Sequence, residues 1–358
     1  MPVPRRDLEK THEILTQWFR TRLPAARNVA IGPLSGPAAT GFSSDTLLFD
    51  LSYEHEGRRH TRGLVCRAEP SGFGVFPSYD VERQYRIMDA LAPTDVPVPK
   101  MVGFERDPAL LGTPFFVMER VAGRIPTDNP PYHVGGWMTE ITPAERASIW
   151  ESGLDVLAAV HRQDPRALGI DFLDAPPRGS DTIGWQLACW RRYCDWATGG
   201  RRFATLESAW EWLLAHRPPP TEQADLCWGD ARIGNMIFDA GRCVAVLDWE
   251  MATLGPAEMD LGWFLLLDRH HSEGMSAPRL AGLPDRAASI ARWEARTGRT
   301  AVHVEFWEAF AAWRFAAIMA RIGAQMQHYE VMPADSTFAV DNTMSRLLAK
   351  MLGLPSPS

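Results

Sequence analysis

Residues 227–238 read C-W-G-D-A-R-I-G-N-M-I-F, which sets Asp230 and Asn235 five positions apart, and the apolar run V-A-V-L that follows ends in a further acid, Asp248. Those residue types in that order suit phosphoryl transfer. The reaction needs a carboxylate to orient an acceptor hydroxyl and take its proton, and oxygen ligands for a magnesium ion that bridges nucleotide phosphates. Five residues of loop can turn back so that Asp230 and Asn235 face one cavity, and a hairpin after them brings Asp248 to its floor. Taken alone, an Asp and an Asn at this spacing carry little information, because such pairs arise by chance in most chains of this size. Their weight comes from the elements that precede them.

Residues 46–53 alternate as a strand does, and residues 62–68 supply its partner after the turn-like Glu56-Gly57, so a hairpin is expected. Before it, residues 35–44 (S-G-P-A-A-T-G-F-S-S), ending in Ser43 and Ser44, have the small, polar, glycine-containing composition of a turn over phosphates. From Asp80, a plausible N-cap, Val81, Tyr85, Met88 and Leu91 recur at helical spacing as far as Pro93. Gln84 lies on that inward stripe, whereas Glu82, Arg83, Arg86 and Asp89 read as a solvated face. The segment D-V-P-V-P then leads to a strand over residues 114–121, which includes Glu119 and Val121, and to a hinge at Ala122-Gly123.

Residues 143–161 form a helix capped by Thr142 with Pro143 at its first position. His161 closes it, and reads as a helix-end histidine holding neighbouring backbone. Further helices are expected at 182–197, 204–216, 256–268, 284–297, 303–330 and 336–352. Strands with one inserted helix, followed by helices around two short strands, make a segregated pattern, hence α+β. The expected organisation is two unequal lobes, residues 1–121 and 122–358.

Composition narrows the partners. Hydrophobic residues at 46% and charged residues at 23% belong to a globular chain. A formal charge of -7, with no Lys/Arg-rich run, argues against nucleic acid and against an anionic membrane surface. Cys66, Cys189, Cys194, Cys227 and Cys243 are scattered, without the paired spacing of a zinc site, and read as buried thiols of a reducing cytoplasm. The N-terminus has no apolar signal region and no run is long enough to cross a bilayer, so a cytoplasmic location is expected. Trp185, Trp190, Trp196, Trp210 and Trp212 read as packing residues.

These ordered elements resemble the aminoglycoside phosphotransferase family, within the protein-kinase-like fold. The resemblance covers most of the chain. The runs L-G-T-P-F-F-V-M-E-R-V-A-G and L-D-W-E-M-A-T-L-G-P-A-E-M-D-L-G-W look most like the kinase-like domains attached to some acyl-CoA dehydrogenases, and their bacterial stand-alone relatives. The resemblance implies an α+β, two-lobed fold with a small β-rich N-lobe carrying one inward helix and a large, mainly helical C-lobe. It implies Asp230 as catalytic base, Asn235 and Asp248 as magnesium ligands, and ATP or GTP as co-substrate. It also implies nucleotide contacts along 118–121 and at Ser43, Ser44, Arg67 and Gln84. Glu250 would assist the metal or acceptor, Asp260 would brace the catalytic loop, and Arg232 and Trp263 would line the acceptor side.

Three positions depart from the family pattern. Trp228 stands where the family usually has His. Arg67 replaces the phosphate-gripping lysine, with a planar fork in place of a point charge. Gln84 replaces the acid that would pair with it, so an ion pair becomes at best a neutral amide on a guanidinium. A nucleotide-binding module without turnover is the alternative to an active kinase. For the acceptor, Arg191, Arg192, Arg269 and His270 are expected nearby and suit a polycationic aminoglycoside poorly. The branch resemblance points to a hydroxyacid or hydroxyacyl thioester instead, with an aminoglycoside antibiotic, in a resistance role, as the alternative acceptor.

Overall fold

The computed structural model describes residues 6–36, 45–70, 72–173, 176–177 and 179–357. Ser43 and Ser44 lie outside the described residues. The chain opens with helix α1 (Leu8–Arg22), capped by the Asp7 side chain on the Lys10 N–H, and strand β1 (Arg27–Ile31). Neither was expected from the sequence. The long hairpin β2 (Asp45–His55) and β3 (Arg58–Ala68) follows, then α2 (Val81–Leu91), β4 (Met101–Glu105), the single turn α3 (Pro108–Leu111) and β5 (Phe115–Glu119). The strands pair antiparallel in the order β1-β2-β3-β5-β4.

Strand periodicity divides this sheet between two cores. On one face Leu64, Cys66 and Ala68 of β3, with Phe115 and Val117 of β5, pack beneath Trp18 and Phe19 of α1. On the other, Val65, Phe116 and Met118 join the core that continues through the rest of the molecule. Arg67 shares the face of Val65, so the pleat alone aims its guanidinium inward. Helix α2 lies against that face, with Val81, Gln84, Ile87, Met88 and Leu91 buried and Asp80 accepting from the Arg83 N–H. Arg83 departs from the solvated reading: its guanidinium crosses to the Ala252 carbonyl.

After β5 the chain is mainly helical. Helix α4 (Pro143–His161) starts at a full capping box between Thr142 and Glu145. Helix α5 (Thr182–Ala197) is capped by Asp181 and is followed by α6 (Ala204–Ala215). Three short strands and a fourth frame the motif region: β6 (Asp225–Cys227), β7 (Met236–Asp239), β8 (Arg242–Val246) and β9 (Thr253–Gly255). Strand β6 pairs with β9 and β7 with β8. Helices α7 (Glu258–Arg269), α8 (Arg286–Thr297), α9 (Val304–His328) and α10 (Thr343–Leu352) complete the chain. The last helix begins seven residues later than its apolar spacing suggested, because Asn342 caps it with two backbone N–H bonds and the preceding residues run as turns. This is the two-lobed α+β arrangement. Among the described residues no helix is long and apolar enough to cross a membrane.

Helices α7 and α9 touch unusually closely. A Cβ on Gly262 would lie 2.6 Å from the Trp307 carbonyl carbon, so the absence of a side chain lets the two backbones meet. That contact sets Trp263 of α7 opposite the middle of α9.

Candidate active site

The loop from Trp228 to Asn235 leaves β6 and returns into β7, and the Asp248 turn leaves β8 and returns into β9. Both loops are therefore anchored at the same two ladders. The Leu247 N–H donates to the Asn235 carbonyl at 2.9 Å, which brings the asparagine and Asp248 side by side. Asp248 itself sits in the left-handed region, φ 61° and ψ 61°. Such a conformation is costly for a residue with a Cβ and recurs at functional turns.

Asp230 is the most densely held group. Its carboxylate accepts from Trp263 Nε1 at 2.8 Å, from Asn235 Nδ2 at 2.6 Å and from Arg232 Nε at 3.0 and 3.1 Å. Asn235 Nδ2 also donates to the Asp230 carbonyl at 3.1 Å. Arg232 reaches onward to Asp128, a residue of the segment after β5. Burial works against both charges of that pair, but the mutual attraction wins. The Asp230 and Asp128 carboxylates raise the pKa of Arg232, while Arg232 and the histidines His271 and His270 hold Asp128 below the usual carboxylate range.

Asp260, at 0% exposure, accepts from the Trp228 and Gly229 N–H groups at 2.5 and 2.9 Å, and from His161 at 3.3 Å. The His161 ring in turn accepts from the Trp293 indole at 2.9 Å. The partners of His161 are thus two side chains, not neighbouring backbone. Trp228, in the position usual for His, donates its indole N–H to the Leu247 carbonyl at 2.8 Å. It ties the Asp230 loop to the strand end that carries Asp248. Gly229 has φ 93°, and a Cβ there would overlap the Met251 carbonyl.

On the sheet side, Arg67 Nη2 donates to Asp248 Oδ1 at 2.9 Å. The pairing anticipated between Arg67 and Gln84 is replaced, at this nitrogen, by an ion pair to the Asp248 carboxylate. Gln84 is 2% exposed on the inner face of α2. Glu119 ends β5 with its N–H on the Lys100 carbonyl and its carboxylate on Arg62 at 2.7 Å. Val121 lies two residues beyond the strand.

Beside the Asp248 turn lies a cavity of about 420 Å³, walled by Phe76, Trp185, Trp190, Tyr193, Arg192 and Glu250. Two of the tryptophans read as packing residues therefore form a wall. Of the basic residues expected here, Arg192 lines the cavity. Arg191 is instead paired with Asp195 and Glu207, each at 2.9 Å, and Arg269 with Glu273 at 2.6 Å. His270 is buried against the Thr343 hydroxyl.

Two site residues escaped the sequence reading. Asp128 sits in an irregular proline-rich segment with no periodicity to mark it. Arg314 carries a charge among the apolar residues of α9, a buried position that the helix's sequence pattern alone does not tie to a site. A magnesium ion fits the donor chemistry, since the Asn235 amide turns its nitrogen to Asp230 and keeps its oxygen for another partner, and Asp248 supplies a carboxylate from the turn whose Leu247 N–H bonds the Asn235 carbonyl. No group of three or more His, Cys, Asp or Glu side chains suited to a metal occurs among the described residues. A cation here would complete its shell with phosphate oxygens and water, the usual habit of magnesium.

Comparison with known proteins bears on the family and the fold. Acyl-CoA dehydrogenase family member 11 of Gallus gallus is 33% identical over 204 residues, and family member 10 of Mus musculus 32% over 207 residues. The matches take in 56% and 57% of this chain but only 25% and 18% of those proteins. A Ralstonia eutropha JMP134 protein, assigned provisionally to the aminoglycoside phosphotransferases, has a solved structure that is 30% identical, with 97% of both chains covered and a TM-score of 0.69. The GDP complex of aminoglycoside 2'-phosphotransferase-IIIa shares the fold at 13% identity, with a TM-score of 0.60 over 96% of this chain and 98% of that one. The phosphotransferase enzyme family (APH) matches residues 53–301, well over half of the sequence, and the chain belongs to that family.

Proposed function

We propose that this phosphotransferase moves the γ-phosphate of magnesium-bound ATP or GTP to a hydroxyl of a small molecule. The observation that carries the reading is the Asp230 carboxylate, held by Trp263, Asn235 and Arg232 in a loop whose Asn235 is tied through backbone to Leu247, the residue before Asp248. Asp230 would accept the acceptor's proton, and Asn235 and Asp248 would hold the magnesium, which neutralises phosphate charge when bound. Arg232, already cationic and anchored by Asp128, would steady the transferring group. Residues 1–121 would bind nucleotide, with Glu119 and Val121 at the base edge, and residues 122–358 the acceptor. A relative determined with GDP, noted above, supports a nucleotide co-substrate.

The cavity walled by Phe76, Trp185, Trp190 and Tyr193 is the proposed acceptor site. Its aromatic walls, with Arg192 and the single acid Glu250, favour a hydroxyacid or hydroxyacyl thioester over a polycationic aminoglycoside, which would need several carboxylates. A second reading, nucleotide binding without turnover, draws on one observation: Arg67 is engaged with the carboxylate that would hold the metal.

Phosphorus NMR of the protein with magnesium, ATP or GTP, and panels of hydroxyacids, hydroxyacyl thioesters and aminoglycosides tests both. Transfer to a hydroxyl supports the kinase, and nucleotide binding with no transfer supports the second reading. Asp230→Ala is expected to abolish transfer while nucleotide affinity stays within about threefold. An unchanged rate removes Asp230 from the mechanism.

A further inference from the structure

Arg314, in the middle of α9, is 1% exposed, yet only one of its nitrogens is hydrogen-bonded: Nη2 donates to the Gly229 carbonyl at 3.3 Å. Nε and Nη1 have no hydrogen-bond partner among the described residues. A buried guanidinium with two unmet donors is costly, and such a group persists when something else depends on it. Burial lowers its pKa to about 10, with Asp260, Cys227 and Asp230 opposing that fall, so it stays cationic at neutral pH.

What surrounds Arg314 is aromatic. Its guanidinium carbon lies 4.2 Å from the Trp190 ring centroid, 4.6 Å from that of Trp263 and 5.6 Å from that of Phe310. A desolvated cation over indole faces is held there by the negative potential of the rings. Three of these four partners, Trp190, Trp263 and Gly229, lead to different parts of the site. Trp190 walls the proposed acceptor cavity. Trp263 donates its indole N–H to Asp230. Gly229 is the residue immediately before Asp230, in the turn that Asp260 holds from the other side.

We propose that Arg314 is a positioning residue for phosphoryl transfer: wedged between Trp190 and Trp263, it sets the indole N–H of Trp263 on Asp230 and fixes the Gly229 turn. The cavity wall and the base thereby form one mechanical unit. This rests on the reading of Asp230 as the base. A purely structural Arg314, serving only to offset the charge of Asp260, would leave the Trp263 to Asp230 hydrogen bond intact once the protein is folded.

The indole signals separate the two roles without any acceptor. Full-length protein carrying nitrogen-15 in its tryptophan indoles is compared as wild type, Arg314→Lys, Arg314→Met and Trp190→Leu, with Trp263→Phe to assign the resonance and Asp230→Ala to mark its position without the bond. Each folded variant at Arg314 is expected to move the Trp263 indole resonance most of the way to the Asp230→Ala position, and Trp190→Leu part of the way. Arg314→Lys, which keeps the charge, is not expected to restore it, since an ammonium lacks the flat face. With an acceptor from the transfer screen, kcat should fall roughly 10- to 100-fold while the nucleotide KM stays within twofold, the cost of a misplaced reacting group. A Trp263 resonance at its wild-type position in the folded variants overturns the proposal. Transfer that survives Asp230→Ala overturns the base assignment instead, and leaves the indole result standing.

Discussion

Arg67 and Asp248 are 181 positions apart in sequence and joined at 2.9 Å in the fold, the first on β3 of the sheet and the second in the turn after β8. The pair ties the five-stranded sheet to the turn that joins β8 and β9. Its side chains are 9% and 22% exposed, so each group depends on the other for part of its compensation.

Asp248→Ala is therefore expected to destabilise the protein without nucleotide, by about 2–4 kcal/mol, because it leaves a buried guanidinium facing a missing carboxylate. Arg67→Met should cost less, since Asp248 retains some contact with solvent. The double variant should be more stable than the sum of the single effects implies. Urea unfolding of the four proteins measures this coupling. Strictly additive losses would show that the ion pair contributes nothing.

Gly229→Ala is expected to be among the most damaging single-methyl changes in this chain. The position combines φ 93° with a Cβ that would collide with the Met251 backbone, which has no flexible end to move aside. A loss of about 3 kcal/mol or more is expected, together with transfer reduced by at least about 100-fold, because the turn carries Asp230. Gly298→Ala is the control: φ is 70° but nothing lies within 4 Å of the added methyl, so only the milder conformational cost applies. Thermal unfolding of both variants compares clash plus strain with strain alone.

Acid should weaken the fold well before carboxylates titrate. Burial pushes His270 down to about 3 and His271 to about 4, from an ordinary value of 6.5. Below pH 6.5 the unfolded chain takes up protons that the folded protein refuses, so stability falls as pH drops from about 6.5 towards 4, by up to ~1.4 kcal/mol per pH unit for each histidine. His271 faces Asp128, Arg232, Asp268 and His133, and His270 faces His271, Asp128 and the Thr343 hydroxyl. Asp128 and Asp268 have lowered values and contribute their own losses only further into acid. Urea midpoints at pH 7, 6 and 5 should decline steadily, and His271→Asn should flatten that slope. A slope unchanged by the substitution would assign the acid loss elsewhere.

The catalytic-loop and strand-end residues were legible because their spacing is local. Asp230 and Asn235 share one loop, and five residues are few enough for the chain geometry to bring them together. The inward stripe of α2, the caps at Asp80 and Thr142 and the strand alternation around Arg67 were legible for the same reason: periodicity and caps act within a few residues. Helix α1 and strand β1 were missed although Asp7, Leu15, Trp18 and Phe19 have the spacing of a capped amphipathic helix.

Sequence by itself determined the α+β class, the β2–β3 hairpin, α2, the run of helices from α4 onward and the residue types available for phosphoryl transfer, because each of these follows from local backbone preference or short spacing. Only the tertiary structure decided the partners. Arg67 met Asp248 rather than waiting on Gln84, Asp128 arrived from an irregular segment to hold Arg232, and Arg314 rose from the middle of α9 to stack between Trp190 and Trp263. These pairings depend on how long side chains from distant elements share a small buried volume. That choice is made by packing and charge compensation across the whole fold, and no local pattern encodes it.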